Sequence, residues 1–227
     1  MAAGSHACAV SRLYFAAKAP IAGQVKTRLG AAIGAEAAAA LYAAFLADLA
    51  ARFEEAEPAV GWYLPEGAWP HLLPILGPGN PLRVQRGADW AARQSNLFRD
   101  CAVAREGKVV LAATDSPQIR PARIEAAFTA LDRNDLVLGP TLDGGYYLVG
   151  MGGFHDVFSC VDMGTASALG QVLARASSLN LSVALLDAEF DVDTAADLAL
   201  LQAAVESRDD LWATAAILAG LRCRATV

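Results

Sequence analysis

Two kinds of residue in this chain have the chemistry to handle phosphate. Lys26, Thr27 and Arg28 close a loop that begins at Lys18 and passes through Pro20 and Gly23. Carboxylates stand far downstream at Asp115, at Asp143 and at the alternating pair Asp191 and Asp193. A Gly-containing cationic loop ahead of a helix offers backbone N–H groups and fixed positive charge to an anion. Exposed carboxylates nearby suit Mg²⁺ or Mn²⁺, which takes oxygen ligands, keeps waters and bridges to substrate phosphates. Plainer readings stay open at each place. The basic residues of the loop also make an ordinary solvated connection. Asp115 in Thr114-Asp115-Ser116-Pro117 is also a normal turn residue. Asp143-Gly144-Gly145 is also a tight hairpin signal. Asp191 and Asp193 share one face if extended, one of them can ligate metal while the other caps, and Thr194 or Asp193 can cap the helix that follows.

The elements that would position these residues alternate between strand and helix. Leu13–Ala17 reads as a buried first strand that empties into the cationic loop, which Gly34 ends. Residues 36–55 form a helix, with Leu41, Phe45, Leu49 and Phe53 on one stripe widened by Tyr42 and Leu46. The acids Glu54, Glu55 and Glu57 fray its end, where the helix dipole disfavours them. Val60–Leu64 is a strand, and the proline-rich stretch after it holds one short helix. Leu82–Gln85 is a short strand and Asp89–Arg105 a helix. Lys108–Ala113 is apolar on both faces, as central parallel strands are. A helix over 121–131, strands at 135–139 and after Pro140, a helix over 166–177, a strand over 181–186 and two closing helices complete the order. Sites in such sheets gather beyond the carboxyl ends of the strands, which is where the loop and the carboxylates fall. The pattern predicts an α/β fold of three layers around a mostly parallel sheet. It predicts a single domain over 9–222 after a loose leader, residues 1–8.

Composition narrows the classes further. The 227 residues are 55% hydrophobic with a net charge of −6, enough for a large core and too acidic for a general nucleic-acid surface. The cysteines at 8, 101, 160 and 223 form no Cys-x-x-Cys pair, which argues against zinc. No secretory h-region is visible, and no apolar run reaches the roughly 20 residues of a membrane span. A soluble cytoplasmic protein is the expectation. Neither a Gly-x-Ser-x-Gly nor a Cys–His pattern supports a nucleophile, and the Walker and Gly-x-Gly-x-x-Gly spacings are missing.

Five stretches in order carry a resemblance over about residues 15–205. They are Phe15-Ala-Ala-Lys18-Ala-Pro20 through Gly23 to Lys26-Thr27-Arg28-Leu29, and Gln85 with Gly87, Asp89 and Arg93. They continue with Thr114–Pro117, Gly139 to Leu148 around Asp143-Gly144-Gly145-Tyr146-Tyr147, and Asp191-Val-Asp193-Thr194 with Asp197. Together they resemble the GT-A-like nucleotide-diphospho-sugar transferases of the selenodomain-associated type. That group is related to molybdenum-cofactor and phospholactate nucleotidyltransferases. The resemblance implies a Rossmann-like GT-A fold and a transferase using a nucleotide or nucleotide sugar, a small-molecule acceptor and Mg²⁺ or Mn²⁺. It implies metal ligation by Asp115 with Asp191 or Asp193. It implies phosphate and nucleotide binding by Lys18, Gly23, Lys26, Thr27, Arg28, Gln85 and Arg93. Gly144, Gly145 and Tyr146 would line the acceptor side. Asp143 would act as base, with Lys26 and Arg28 stabilising the leaving group. Asp-Ser-Pro at 115–117 stands where many glycosyltransferases have Asp-x-Asp, and is closer to the nucleotidyltransferases. Three functions compete: glycosyl transfer from a nucleotide sugar, nucleotidyl transfer with pyrophosphate release, and nucleotide binding without turnover. The chain departs from the family pattern at Ala91, where Gly is common, and at Met163, where Trp is usual.

Overall fold

A computed structural model of the chain describes residues 10–58 and 60–225. The leader expected over 1–8 lies outside them. Seven strands form one mixed sheet: β1 (Arg12–Ala16), β2 (Val60–Leu64), β3 (Leu82–Val84), β4 (Val109–Ala113), β5 (Leu136–Pro140), β6 (Tyr146–Met151) and β7 (Val183–Leu185). Their order is β3-β2-β1-β4-β6-β5-β7. β1 pairs in parallel with β2 and β4, β2 with β3, and β5 with β7. β6 alone runs against its neighbours β4 and β5. The carboxyl ends of the parallel strands therefore share a rim with the amino end of β6. That reversal brings Tyr146 to the same edge as Ala16 and Ala113.

Helices cover both faces, as the apolar central strands require. One face carries α1 (Thr27–Ile33), α2 (Ala35–Arg52), α3 (Trp69–Leu76), α5 (Pro121–Ala130), α7 (Leu198–Glu206) and α8 (Trp212–Ala225). The other carries α4 (Trp90–Val103) and α6 (Ala168–Ser178). The predicted stripe of α2 is real: Leu41, Phe45 and Leu49 are buried against Phe15 and Trp62 of the sheet. α2 stops at Arg52, so the three following acids stay out of its last turn. Asp89 caps α4 by accepting from Ala92 N at 2.8 Å. α8 is seated on α2 by Asp48, whose buried carboxylate accepts from the N–H groups of Ala213 and Thr214, both at 2.9 Å. Element ends differ from the sequence reading by a few residues, and the difference nearest the loop matters most. The tail of the cationic loop is already helical from Thr27, and Gly34, at φ 92°, breaks α1 from α2. Alanine-rich sequence extends the helical preference back to the loop, and only glycine takes that φ at low cost.

Candidate active site

A cavity of about 710 Å³ opens at the shared rim. Lys18 and Lys26 line it from the first loop, Thr27 and Arg28 from the start of α1, Gln85 from the β3–α4 connection and Arg93 from α4. Asp115 enters after β4, Asp143, Gly145 and Tyr146 from the β5–β6 turn, and Asp191 and Asp193 after β7. Residues scattered over 175 positions thus meet at one mouth. Two of the expected residues stand back from it. Gly23 shapes the loop at φ 77°. Gly144, at φ 92°, packs its α-carbon on the 163–167 segment, where an added Cβ would lie 2.1 Å from Ala166 O. Its contribution is therefore to the turn, and Gly145 faces the cavity in its place.

Lys26 is the centre of the charge pattern. Its backbone is left-handed, at φ 47° and ψ 42°, a costly conformation for a side-chain-bearing residue. Its side chain is 3% exposed. The ammonium contacts Asp115 Oδ1 and lies 3.0 Å from Asp193 Oδ1. It also sits over the rings of Tyr42 and Phe45, at 5.7 and 5.9 Å from their centroids. Burial alone would lower the Lys26 pKa, but Asp115 and then Asp193 outweigh it, so the group is raised and stays charged. Asp193 is resisted by burial too, and Lys26, followed by Arg28 at 2.5 Å, holds it below the usual carboxylate range. Asp191 behaves differently. Burial pushes it up to about 7; its hydrogen bond from Ser116 lowers it and the neighbouring Asp115 charge raises it.

The open alternatives resolve residue by residue. The helix after β7 is capped by Thr194, in a reciprocal capping box with Asp197, through a 3-10 turn over Ala195–Asp197. Asp193 is thereby released from capping and turns to the cations. Asp115 gives its side chain to Lys26, while its backbone carbonyl accepts from Val192 N at 2.9 Å and ties β4 to the β7 exit. The Asp143 stretch is a hairpin turn and a cavity wall together. Asp143 Oδ1 accepts from Thr141 Oγ1 at 2.6 Å and Gly145 N at 3.1 Å, which fixes the carboxylate at the mouth.

Residues the sequence did not single out complete the site. Tyr42 accepts from Lys18 N at 3.1 Å and shares a 2.8 Å hydrogen bond with Thr114 Oγ1, which in turn donates to Ala16 O at 2.9 Å. This ties the first loop, α2 and the end of β4 together. The signal was present: a tyrosine in an apolar stripe needs a partner for its hydroxyl. Burial raises the Tyr42 pKa to about 12, so it remains a neutral strut. Trp90 builds the far wall with Tyr146 and with Met163, which stands where Trp was expected, and the Tyr146 hydroxyl donates at 3.0 Å to Oε1 of Gln94, buried behind that wall.

The donor set was tested against a divalent cation. Asp115 and Asp193 both reach Lys26 Nζ, so their oxygens face one point. Two carboxylates with waters and phosphate oxygens are a normal Mg²⁺ shell. Among the described residues no cluster of three His, Cys, Asp or Glu forms a cage made wholly of protein. In this structure the Lys26 ammonium takes the point between the two carboxylates, and a divalent ion would need oxygens from a bound phosphate and waters to complete its shell.

With the geometry in hand, comparison with known proteins places the chain. A family model described as "Uncharacterized protein conserved in bacteria (DUF2064)" matches residues 47–165, just over half of the length. The chain belongs to the DUF2064 family. Among curated proteins none matches it by sequence. Among solved structures, this DUF2064 protein is similar to one from Desulfovibrio desulfuricans G20, provisionally named a nucleotide-diphospho-sugar transferase. The two are 27% identical with a TM-score of 0.88, over 94% of this chain and 95% of that one. It also shares its fold with 4-diphosphocytidyl-2C-methyl-D-erythritol synthase from Anaerococcus prevotii DSM 20548 (12% identity, TM-score 0.56, 87% and 99% covered). A third likeness of fold is to the inositol-1-phosphate CTP transferase from T. maritima (15% identity, TM-score 0.53, 92% and 97% covered). The expected α/β nucleotide-diphospho-sugar transferase fold is borne out.

Proposed function

We propose that this DUF2064 protein is a transferase that binds the phosphate chain of a nucleotide-diphospho-sugar and passes the sugar to a small acceptor. One observation carries the reading. A buried ammonium, Lys26, stands between Asp115 and Asp193 at a mouth shared with Lys18 and Arg28. Such an arrangement binds a diphosphate and stabilises it as it departs. The name of the Desulfovibrio protein supports the same class. Asp115, with Asp193 or Asp191, would hold Mg²⁺ or Mn²⁺. When bound, the ion would neutralise phosphate charge.

The chain's own residues supply the rest. Lys18, Lys26 and Arg28 bind the diphosphate and favour its leaving, an electrostatic contribution of the kind that dominates many transfers. Asp143, fixed by Thr141 and Gly145, takes the proton of the acceptor hydroxyl. The acceptor oxygen forms the new bond to the sugar carbon, the bond from that carbon to the diphosphate breaks, and a nucleoside diphosphate leaves. The cation count of the first loop also favours a second reading: attack on the α-phosphate of a nucleoside triphosphate, with pyrophosphate as leaving group. The test incubates the protein with nucleotide sugars or triphosphates, Mn²⁺ and a panel of acceptors. Nucleoside diphosphate release supports the first reading and pyrophosphate the second. Release of neither, from folded protein that binds nucleotide, would replace both with a binding role.

A further inference from the structure

Gln94 lies on α4 behind the far wall of the cavity and is 1% exposed. Its amide is unevenly satisfied. Oε1 accepts from Tyr146 OH at 3.0 Å, whereas Nε2, which carries two hydrogens, meets only Met163 Sδ at 3.7 Å among the described residues. A thioether is a weak acceptor, and a buried amide donor is costly to leave half-made. Turning the amide over does not help: the carbonyl oxygen would then face the sulfur, which has no hydrogen to give, and the tyrosine hydroxyl would be left only the thioether to donate to. The sulfur is not a fixed wall. Met163 is partly exposed, lines the cavity, and belongs to the residue type that most readily changes shape. Tyr146 OH also approaches the same sulfur, at 3.4 Å. A buried amide and the hydroxyl of half-buried Tyr146 are thus aimed at one displaceable side chain on the Asp143 side of the cavity.

We propose that Gln94 reads the second substrate: a hydroxyl or carbonyl oxygen of that molecule displaces the Met163 thioether and takes the amide N–H as its hydrogen bond. A neutral carboxamide at this point selects an uncharged oxygen, and it penalises an apolar group there by leaving Nε2 buried without a partner. Gln94 is then a specificity residue, and Met163 its cover in the unliganded protein. Naming the ligand as an acceptor rests on the transferase reading above; the unsatisfied amide does not.

The experiment compares Gln94→Met and Met163→Leu with the parent protein. Gln94→Met keeps side-chain length and removes the amide. Because Oε1 already bonds the Tyr146 hydroxyl and only Nε2 is held in reserve, melting is compared in a Tyr146→Phe background, where Gln94→Met shifts the melting temperature by less than about 3 °C; a larger fall there would make the N–H a structural bond and overturn the proposal. In turnover with a nucleotide sugar or triphosphate and a panel of sugars, glycerol phosphates and 2-hydroxy acids, Gln94→Met raises KM for the second substrate at least tenfold. KM for the nucleotide is unchanged. Met163→Leu removes the competing sulfur and lowers the second-substrate KM. Equal second-substrate KM values in all three proteins would also overturn it. In a protein inert toward every nucleotide the transferase reading fails, and the melting comparison alone still decides the role of Gln94.

Discussion

Lys26 compensates Asp115 and Asp193, and in the proposed transferase the phosphates would share its charge. Removing either side should therefore impair function more than fold. Asp115→Asn, nearly half exposed at its side chain, is expected to melt close to the parent and to lose about 10²–10³ in turnover, equivalent to about 3–4 kcal/mol of transition-state stabilisation. Full turnover by Asp115→Asn would remove that residue from the site. Lys26→Arg is expected to behave almost as badly as Lys26→Met. A planar guanidinium does not fit a 3%-exposed slot shaped for a point charge over two aromatic rings. A Lys26→Arg enzyme with normal kcat/KM would show that charge alone suffices there.

At the scale of elements, two joints hold the rim in place. The β5–β6 turn leans on the 163–167 segment through Gly144. Gly144→Ala combines a positive φ with a 2.1 Å clash and is expected to cost about 2–3 kcal/mol in denaturant unfolding. Gly145→Ala meets two side-chain atoms, Thr141 Oγ1 at 2.9 Å and Asp143 Oδ1 at 3.4 Å, without a backbone clash, and should cost less; the reverse ranking would contradict this view of the turn. The other joint is Asp210 ahead of α8, which pairs with Arg208 and Arg52. The Arg208 hydrogen bond and then the Arg52 charge, against some burial, hold the Asp210 carboxyl well below its usual range. A depressed folded pKa contributes stability above the unfolded value of about 3.9 and loses it as pH falls through the folded value. The parent should exceed Asp210→Asn by about 1 kcal/mol near neutral pH, after allowance for exposure, and the gap should close below about pH 4. A gap that persists in acid would assign the effect to packing.

Most element positions were legible because the period of the apolar residues sets them: the Leu41–Phe45–Leu49 stripe, the doubly apolar β4, and the Asp89 cap. The clustering of Lys26, Asp115 and Asp193 was legible through the strand-end rule. The roles inside the cluster were not. Thr194 took the cap and freed Asp193 because of a reciprocal bond with Asp197 that spacing alone does not select. Gly144 turned to Ala166, and Gln94 to Met163, through contacts between segments far apart in sequence.

Over the whole molecule, an acidic chain of net charge −6 gathers Lys18, Lys26, Arg28 and Arg93 at the mouth that Asp115, Asp143, Asp191 and Asp193 also line, so the cavity brings cations and carboxylates together where the chain as a whole is acidic. Among the described residues no helix is long and apolar enough to cross a membrane. The cavity is lined from both halves of the sheet, by segments after β1, β3 and β4 and by segments around β5, β6 and β7; the transferase reading would seat the nucleotide on the first side and the acceptor on the second. A ligand spanning it should bind the folded chain alone and stabilise it by mass action. The most direct measurement is the melting temperature against nucleoside diphosphates, triphosphates and sugar conjugates of each base, with and without Mn²⁺. One base should raise it by about 5–10 °C at a hundredfold excess over Kd, more with Mn²⁺ than without, and the shift should vanish in Lys26→Met. A folded parent that none of these ligands stabilises would contradict the assignment of the cavity to a nucleotide.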